Sequence, residues 1–149
     1  MTDPDPCHPR LRIYAGGTLL ALLLFTAHTF VIFETAFLVS RAVEPAINVL
    51  GIHSAGPLLI LACFFVLFIT HLLEGAAWAL LFWKARQFPS FGESLYFAGT
   101  SMTALGYGDI VLRPPWRALG PIMAINGILM FGCSTAFLFF VIQKIWRIF

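Results

Sequence analysis

Charge is what this 149-residue chain has least of: 11% of its residues are Asp, Glu, Lys or Arg, against about a quarter in an ordinary soluble domain. A net charge of +2, with its basic residues scattered, excludes a nucleic-acid footprint. The three cysteines (Cys7, Cys63 and Cys133) are far apart, and no CxxC or Cys/His spacing occurs. Neither a disulfide framework nor a structural zinc site follows from them. No helix carries the serial arginines of a voltage sensor. Internal repeats and low-complexity segments are missing, and the length supports one domain.

Apolar sequence is there in quantity. Hydrophobic residues make up 60% of the chain, more than a water-soluble core of this size can absorb. Three long runs carry most of it: helix A over residues 13–39, helix B over 55–84 and helix C over 118–143. Each exceeds the ~20 residues that cross a hydrocarbon core. Trp83, Trp116 and Trp146 mark ends of B and C, as in an interfacial belt. Small residues recur four apart (Gly17 and Ala21, Gly75 and Ala79, Gly120 and Ala124, Gly132 and Ala136), which suits close helix packing in lipid. Arg10 and Arg12 precede A, but its run outlasts a signal-peptide core and no A-x-A site ends it, so A is expected to be retained. A polar tail, 1–12, precedes A; a short one, 144–149, follows C, and no soluble domain is expected beyond it. The fold class expected is an all-α membrane protein with three transmembrane helices.

Residues 87–112, between B and C, are neither a spanning helix nor a polar loop. Ser90 and Glu93 have the S-x-x-E spacing of a capping box, so a helix is expected over 91–103. Thirteen residues reach ~20 Å, only partway across the core. Ala104, Leu105, Gly106, Tyr107, Gly108 and Asp109 follow, with glycine on alternate positions, and Pro114 and Pro115 break the chain before C. A short helix and then a glycine-punctuated extended stretch reads as a re-entrant loop. Non-helical backbone at membrane depth is tolerated only where protein shields it or it lines a wet cavity. Glycine reaches left-handed dihedrals closed to other residues, which lets consecutive carbonyls point one way. Rings of such carbonyls can replace a cation's hydration shell.

The run SLYFAGTSMTALGYGDI, from Ser94 to Ile110, resembles the pore signature of tetrameric potassium channels. It is most similar to that of the small prokaryotic members with helix–pore loop–helix architecture. The close match covers about twenty residues; the looser match over B, loop and C covers roughly the last hundred, and A lies outside it. The resemblance implies a selectivity filter at Ala104, Leu105, Gly106, Tyr107 and Gly108, whose carbonyls coordinate dehydrated potassium. It implies support from Asp109 beside the filter, from Tyr96 and Phe97 in an aromatic cuff, and from Thr103 in the wall. No cofactor and no catalytic residue are implied, potassium being the permeant ion. Where the family has threonine this chain has Ala104, so a ring of hydroxyls at the innermost site is missing; a weaker site with retained potassium preference is expected. One copy of the motif cannot surround an ion, so four chains in a closed ring are expected, with the negative ends of the pore helices aimed at the axis.

Asn126 is the amide in mid-span of C, expected either to face a water-filled cavity or to bond between helices. Gly127 and Gly132 are candidate hinges or close-packing positions. His28, Glu34, His71 and Glu74 are ionisable groups inside A and B, and three roles stay open for them: interhelical hydrogen bonds, proton sensing, or a metal. His71 and Glu74 share a helix face; His28 and Glu34, six apart, do not. Gating by these groups, by tension, by a partner protein, or constitutive opening all remain open. The resemblance puts the filter outside a cell membrane, although Arg10, Arg12, Lys84, Arg86, Arg113 and Arg117 would then oppose the positive-inside rule. A non-selective cation channel, a regulatory subunit of larger channels, and a membrane enzyme or metal protein built on His28, Glu34, His71 and Glu74 are the alternative functions.

Overall fold

The computed structural model describes residues 7–147; of the polar tail expected over 1–12, residues 1–6 lie outside it, as do the last two residues of the chain, while 7–12 belong to the first helix. Among the described residues four α-helices form: α1 (Cys7–Leu50), α2 (Ile52–Lys84), α3 (Phe91–Met102) and α4 (Leu119–Trp146), the last entered through a short 3-10 turn at Trp116–Ala118. No strand occurs among the described residues. The helices α1, α2 and α4 are each long and apolar enough to cross a membrane.

The apolar runs understate the helices. α1 has 44 residues, about 66 Å at 1.5 Å per residue, where the hydrophobic run covers 13–39. Hydropathy marks the stretch that suits lipid, whereas a helix continues until something stops it. Nothing in the flanks does, and Pro45 is carried inside the helix. The stop is Gly51, in the left-handed region at φ 72°, the usual device at a helix C-terminus. Its N–H donates to the Ile47 carbonyl at 2.9 Å, and its own carbonyl accepts from Ala55 N–H at 3.0 Å. The connection from α1 to α2 is this one residue.

Two compact units form, each holding parts of several helices: one comprises 7–25 with Glu74–Leu129, the other Thr26–Leu73 with 130–147. In the second, Val39 and Val43 of α1, Cys63 and Leu67 of α2, and Phe137, Val141 and Ile145 of α4 form the buried core. Each helix contributes positions four apart, a single stripe. Lipid tails are as apolar as these side chains, so close packing rather than escape from water holds such a core.

In the first unit the core is aromatic. Phe82 on α2 stacks with Trp78 (ring centroids 5.8 Å apart) and meets Phe97 of α3 edge-on at 5.5 Å. Phe88, in the turn between the helices, lies 5.1 Å from Phe97. Phe82 and Trp78 are fully buried. These rings fasten α3 to α2, and edge-to-face pairs add about 0.5–1.5 kcal/mol each beyond burial. Phe82→Ala is therefore expected to destabilise the fold by about 3–5 kcal/mol, read as a lowered midpoint of thermal unfolding in detergent, with α3 loosened first by hydrogen exchange.

Candidate functional site

The segment that follows α3 is positioned from both ends of that helix. At the start, Ser90 is the N-cap in extended backbone (φ −133°, ψ 158°), and its Oγ accepts from Glu93 N–H at 3.1 Å. Capping fixes where α3 begins. At the end, Thr103 turns its hydroxyl back to donate to the Gly99 carbonyl at 2.7 Å. Ala104 N–H donates to Ser101 O and Gly106 N–H to Thr100 O, both at 3.0 Å. The last carbonyls of α3 are thus used by the residues just beyond it, as helix ends require.

Backbone conformation then alternates. φ is 57° at Ala104, 47° at Gly106 and 79° at Gly108, so every second residue is left-handed. Sequence reasoning foresaw this for the glycines and missed it at Ala104. Alanine gives no such signal, and only the tertiary position holds it there, at the C-terminal end of α3 where glycine is usual. Threonine at this φ would be a strained outlier, so the absent hydroxyl goes with the backbone geometry of the position. Leu105 and Tyr107 point into solvent in the single chain, 59% and 67% exposed.

Tyr96 of α3 donates its hydroxyl to Asp109 Oδ2 at 2.8 Å, and Asp109 Oδ1 accepts from Ile110 N–H at 3.0 Å. The hydrogen bond to Asp109 raises the Tyr96 phenol above its ordinary range near 10. Its contribution is present below that ordinary value and is lost as pH rises through the raised one. The brace is intact at neutral pH.

From the other side, α4 presses on α3. A Cβ built on Gly127 would overlap the Met102 carbonyl oxygen and lie 2.8 Å from Met102 C and Cα. Gly127 is a close-packing position against backbone. Gly132 has open space around it. Asn126 is buried, 6% exposed, and lines a groove of about 400 Å³ together with Thr18, Ala21 and Phe25 of α1. Phe97 is buried in the aromatic cluster described above.

Not all of the intramembrane ionisable groups come together. His28 of α1 and His71 of α2 come together, ring centroids 4.9 Å apart, on either side of Ser134 of α4. Glu34 is exposed on α1, on a different face from His28. Glu74 is buried, 4% exposed, one turn beyond His71 on α2. Ser134 went unnoticed in the sequence; a lone hydroxyl in an apolar span is a weak signal, since it can bond to its own helix.

Gly127→Ala is expected to lower the thermal midpoint, overpacking costing typically about 1–3 kcal/mol, because the obstacle is main chain and not a movable side chain. Gly132→Ala should leave the midpoint unchanged or raised, glycine being the poorer helix former.

A profile of an ion-channel family matches residues 58–144, which runs from early α2 through α3 and the left-handed segment almost to the end of α4. No curated protein and no solved structure matches the chain closely enough to count as a relative. With more than half of its length matched, and with three helices among the described residues long and apolar enough to span a bilayer, the chain belongs to this ion-channel family.

Proposed function

We propose that the chain is one subunit of a homotetrameric potassium-selective channel in the cell membrane, with its filter on the external side. The observation that carries this reading is the alternation of left-handed backbone at Ala104, Gly106 and Gly108 directly after a helix too short to span. An extended strand points successive carbonyls to opposite sides. Left-handed dihedrals at every second residue turn them to one side, so four such strands make stacked rings of oxygen for a dehydrated cation. The twelve residues of α3 reach about 18 Å, and its C-terminus delivers partial negative charge where the ion sits. Re-entry of α3 from the outer surface fits the family resemblance. No cofactor and no catalytic step are assigned, and potassium is the permeant species.

The tetramer is supported by what one chain leaves uncovered. Leu105 and Tyr107 are large side chains standing free beside the filter, where neighbouring subunits would pack. On α4 the residues Ile128, Gly132, Thr135 and Phe139 are exposed at spacings of three and four, one helix face. We assign the inner cavity wall to that face and not to Asn126, whose side chain is enclosed beside α1 within the subunit.

Purified protein in liposomes should pass potassium at least tenfold faster than sodium, a discrimination of about 1.4 kcal/mol or more. Equal fluxes would replace this reading with a non-selective cation channel. Gly106→Ala should abolish or sharply reduce flux although the added methyl meets nothing within 4 Å, because left-handed backbone costs a residue with a Cβ about 1–2 kcal/mol, in each of four subunits.

Position 104 separates the role of backbone from that of hydroxyl. Ala104→Gly relieves its left-handed dihedral and is expected to preserve potassium flux. Ala104→Thr, although it brings the segment nearer the pore signature it resembles, is expected to impair it. Flux measured in parallel on the two variants decides; faster flux with threonine would mean the hydroxyl outweighs the strain.

A further inference from the structure

Three helices bring one polar group each to a single point. Ser134 Oγ of α4 lies 3.1 Å from His28 Nε2 of α1 and 3.1 Å from His71 Nε2 of α2. A carboxylate joins them, since the ligand atoms of His28, His71 and Glu74 all lie within 4.8 Å of one another. His28, Glu74 and Ser134 are 1%, 4% and 6% exposed, and His71 is half-buried. Ionisable side chains inside a membrane are costly and mark function by default. The filter uses none of these.

We propose that His28, His71, Glu74 and Ser134 bind a divalent transition-metal ion of the zinc type, which ties α1, α2 and α4 together within their apolar spans. Two imidazoles and one carboxylate, with a water oxygen in the fourth position, are an established tetrahedral zinc set. The spacing here fits it. Bonds of about 2.0–2.1 Å put tetrahedral ligands about 3.3 Å apart, and Ser134 Oγ stands 3.1 Å from both ring nitrogens. Each imidazole offers its Nε2 lone pair in the tautomer that carries the proton on Nδ1. Ser134 Oγ takes the position that water holds in an open site. Glu74 has the most rotatable bonds of the four, and turning its carboxylate inward completes the set. Its charge offsets half that of the ion, which two imidazoles alone would leave unbalanced in a poor solvent for charge.

Donor type decides the class of ion. Calcium takes six or more oxygens, and magnesium an octahedron of them. Imidazole suits zinc, copper, iron and nickel. The His71 ring is already held in place, stacked on Phe131 of α4 at 4.1 Å. Its half-buried edge is the way in for an ion. Binding is read directly, so the site stands or falls apart from the channel reading.

The test is zinc binding to the purified chain in detergent after stripping with a chelator, followed by calorimetry and by the thermal midpoint. One ion per chain and a raised midpoint are expected. His28→Gln, His71→Gln and Glu74→Gln should each weaken binding at least about a hundredfold, since loss of even an outer-shell partner costs about 10–100-fold. Two controls should leave it unchanged: Glu34→Gln, and Cys7→Ser combined with His8→Gln, which removes an adjacent thiol and imidazole of the sequence. Absence of binding overturns the proposal. So does binding that survives the three substitutions or is lost with Cys7 and His8, which marks an adventitious ion only. Cobalt(II) bound to the unmodified protein gives a readout that needs no substitution. Intense visible bands of tetrahedral cobalt without a thiolate-to-metal band support the site. Weak octahedral bands, or a thiolate band, overturn it. A chain that binds zinc in this way and passes no potassium keeps the metal site and loses the channel reading.

Discussion

The site depends on one contact between backbones. The Met102 carbonyl, at the end of α3, rests against the Cα of Gly127 on α4, with no room between them for a methyl group. Everything that follows Met102 inherits its position from that seat: the turned-back Thr103, the left-handed Ala104 and the alternating glycines. The aromatic cluster of Phe82, Phe88 and Phe97 presses α3 from the α2 side, so the short helix is clamped between two long ones. In lipid, where apolar burial distinguishes poorly between neighbours, contact of main chain with main chain is the kind of interaction that selects one arrangement.

How much of this was legible in the sequence varies with how local the cause is. The start of α3 was legible, because Ser90 and Glu93 carry the cap within one turn. So was the glycine alternation, because glycine is the residue that left-handed backbone favours. The left-handed Ala104 was not, since nothing in alanine announces it and the constraint comes from the packing of α3. The reach of α1 to Leu50 was missed because hydropathy reports solvent preference, while Gly51 reports where the helix ends. Ser134 was invisible for a third reason: its partners are 106 and 63 residues away, and only the packing of three helices brings them together. The role of Gly127 stood between hinge and packing until the neighbour it touches was known.

The same reasoning separates the polar groups of the spans into two kinds. Thr35, Thr70 and Thr135 each donate to the carbonyl four residues back on their own helix, which satisfies the hydroxyl and ties nothing together. Ser134 instead faces two imidazoles on other helices. A hydroxyl spent on its own helix is mute about tertiary structure; one that reaches across constrains it.

The one-residue turn at Gly51 has a mechanical meaning. Two helices joined by a long loop can slide along each other, each finding its own depth in the bilayer. Joined by a single left-handed residue whose N–H and carbonyl are both engaged, the adjoining ends of α1 and α2 have no slack. A change in bilayer thickness that shifts or tilts the end of one helix must carry the adjoining end of the other with it.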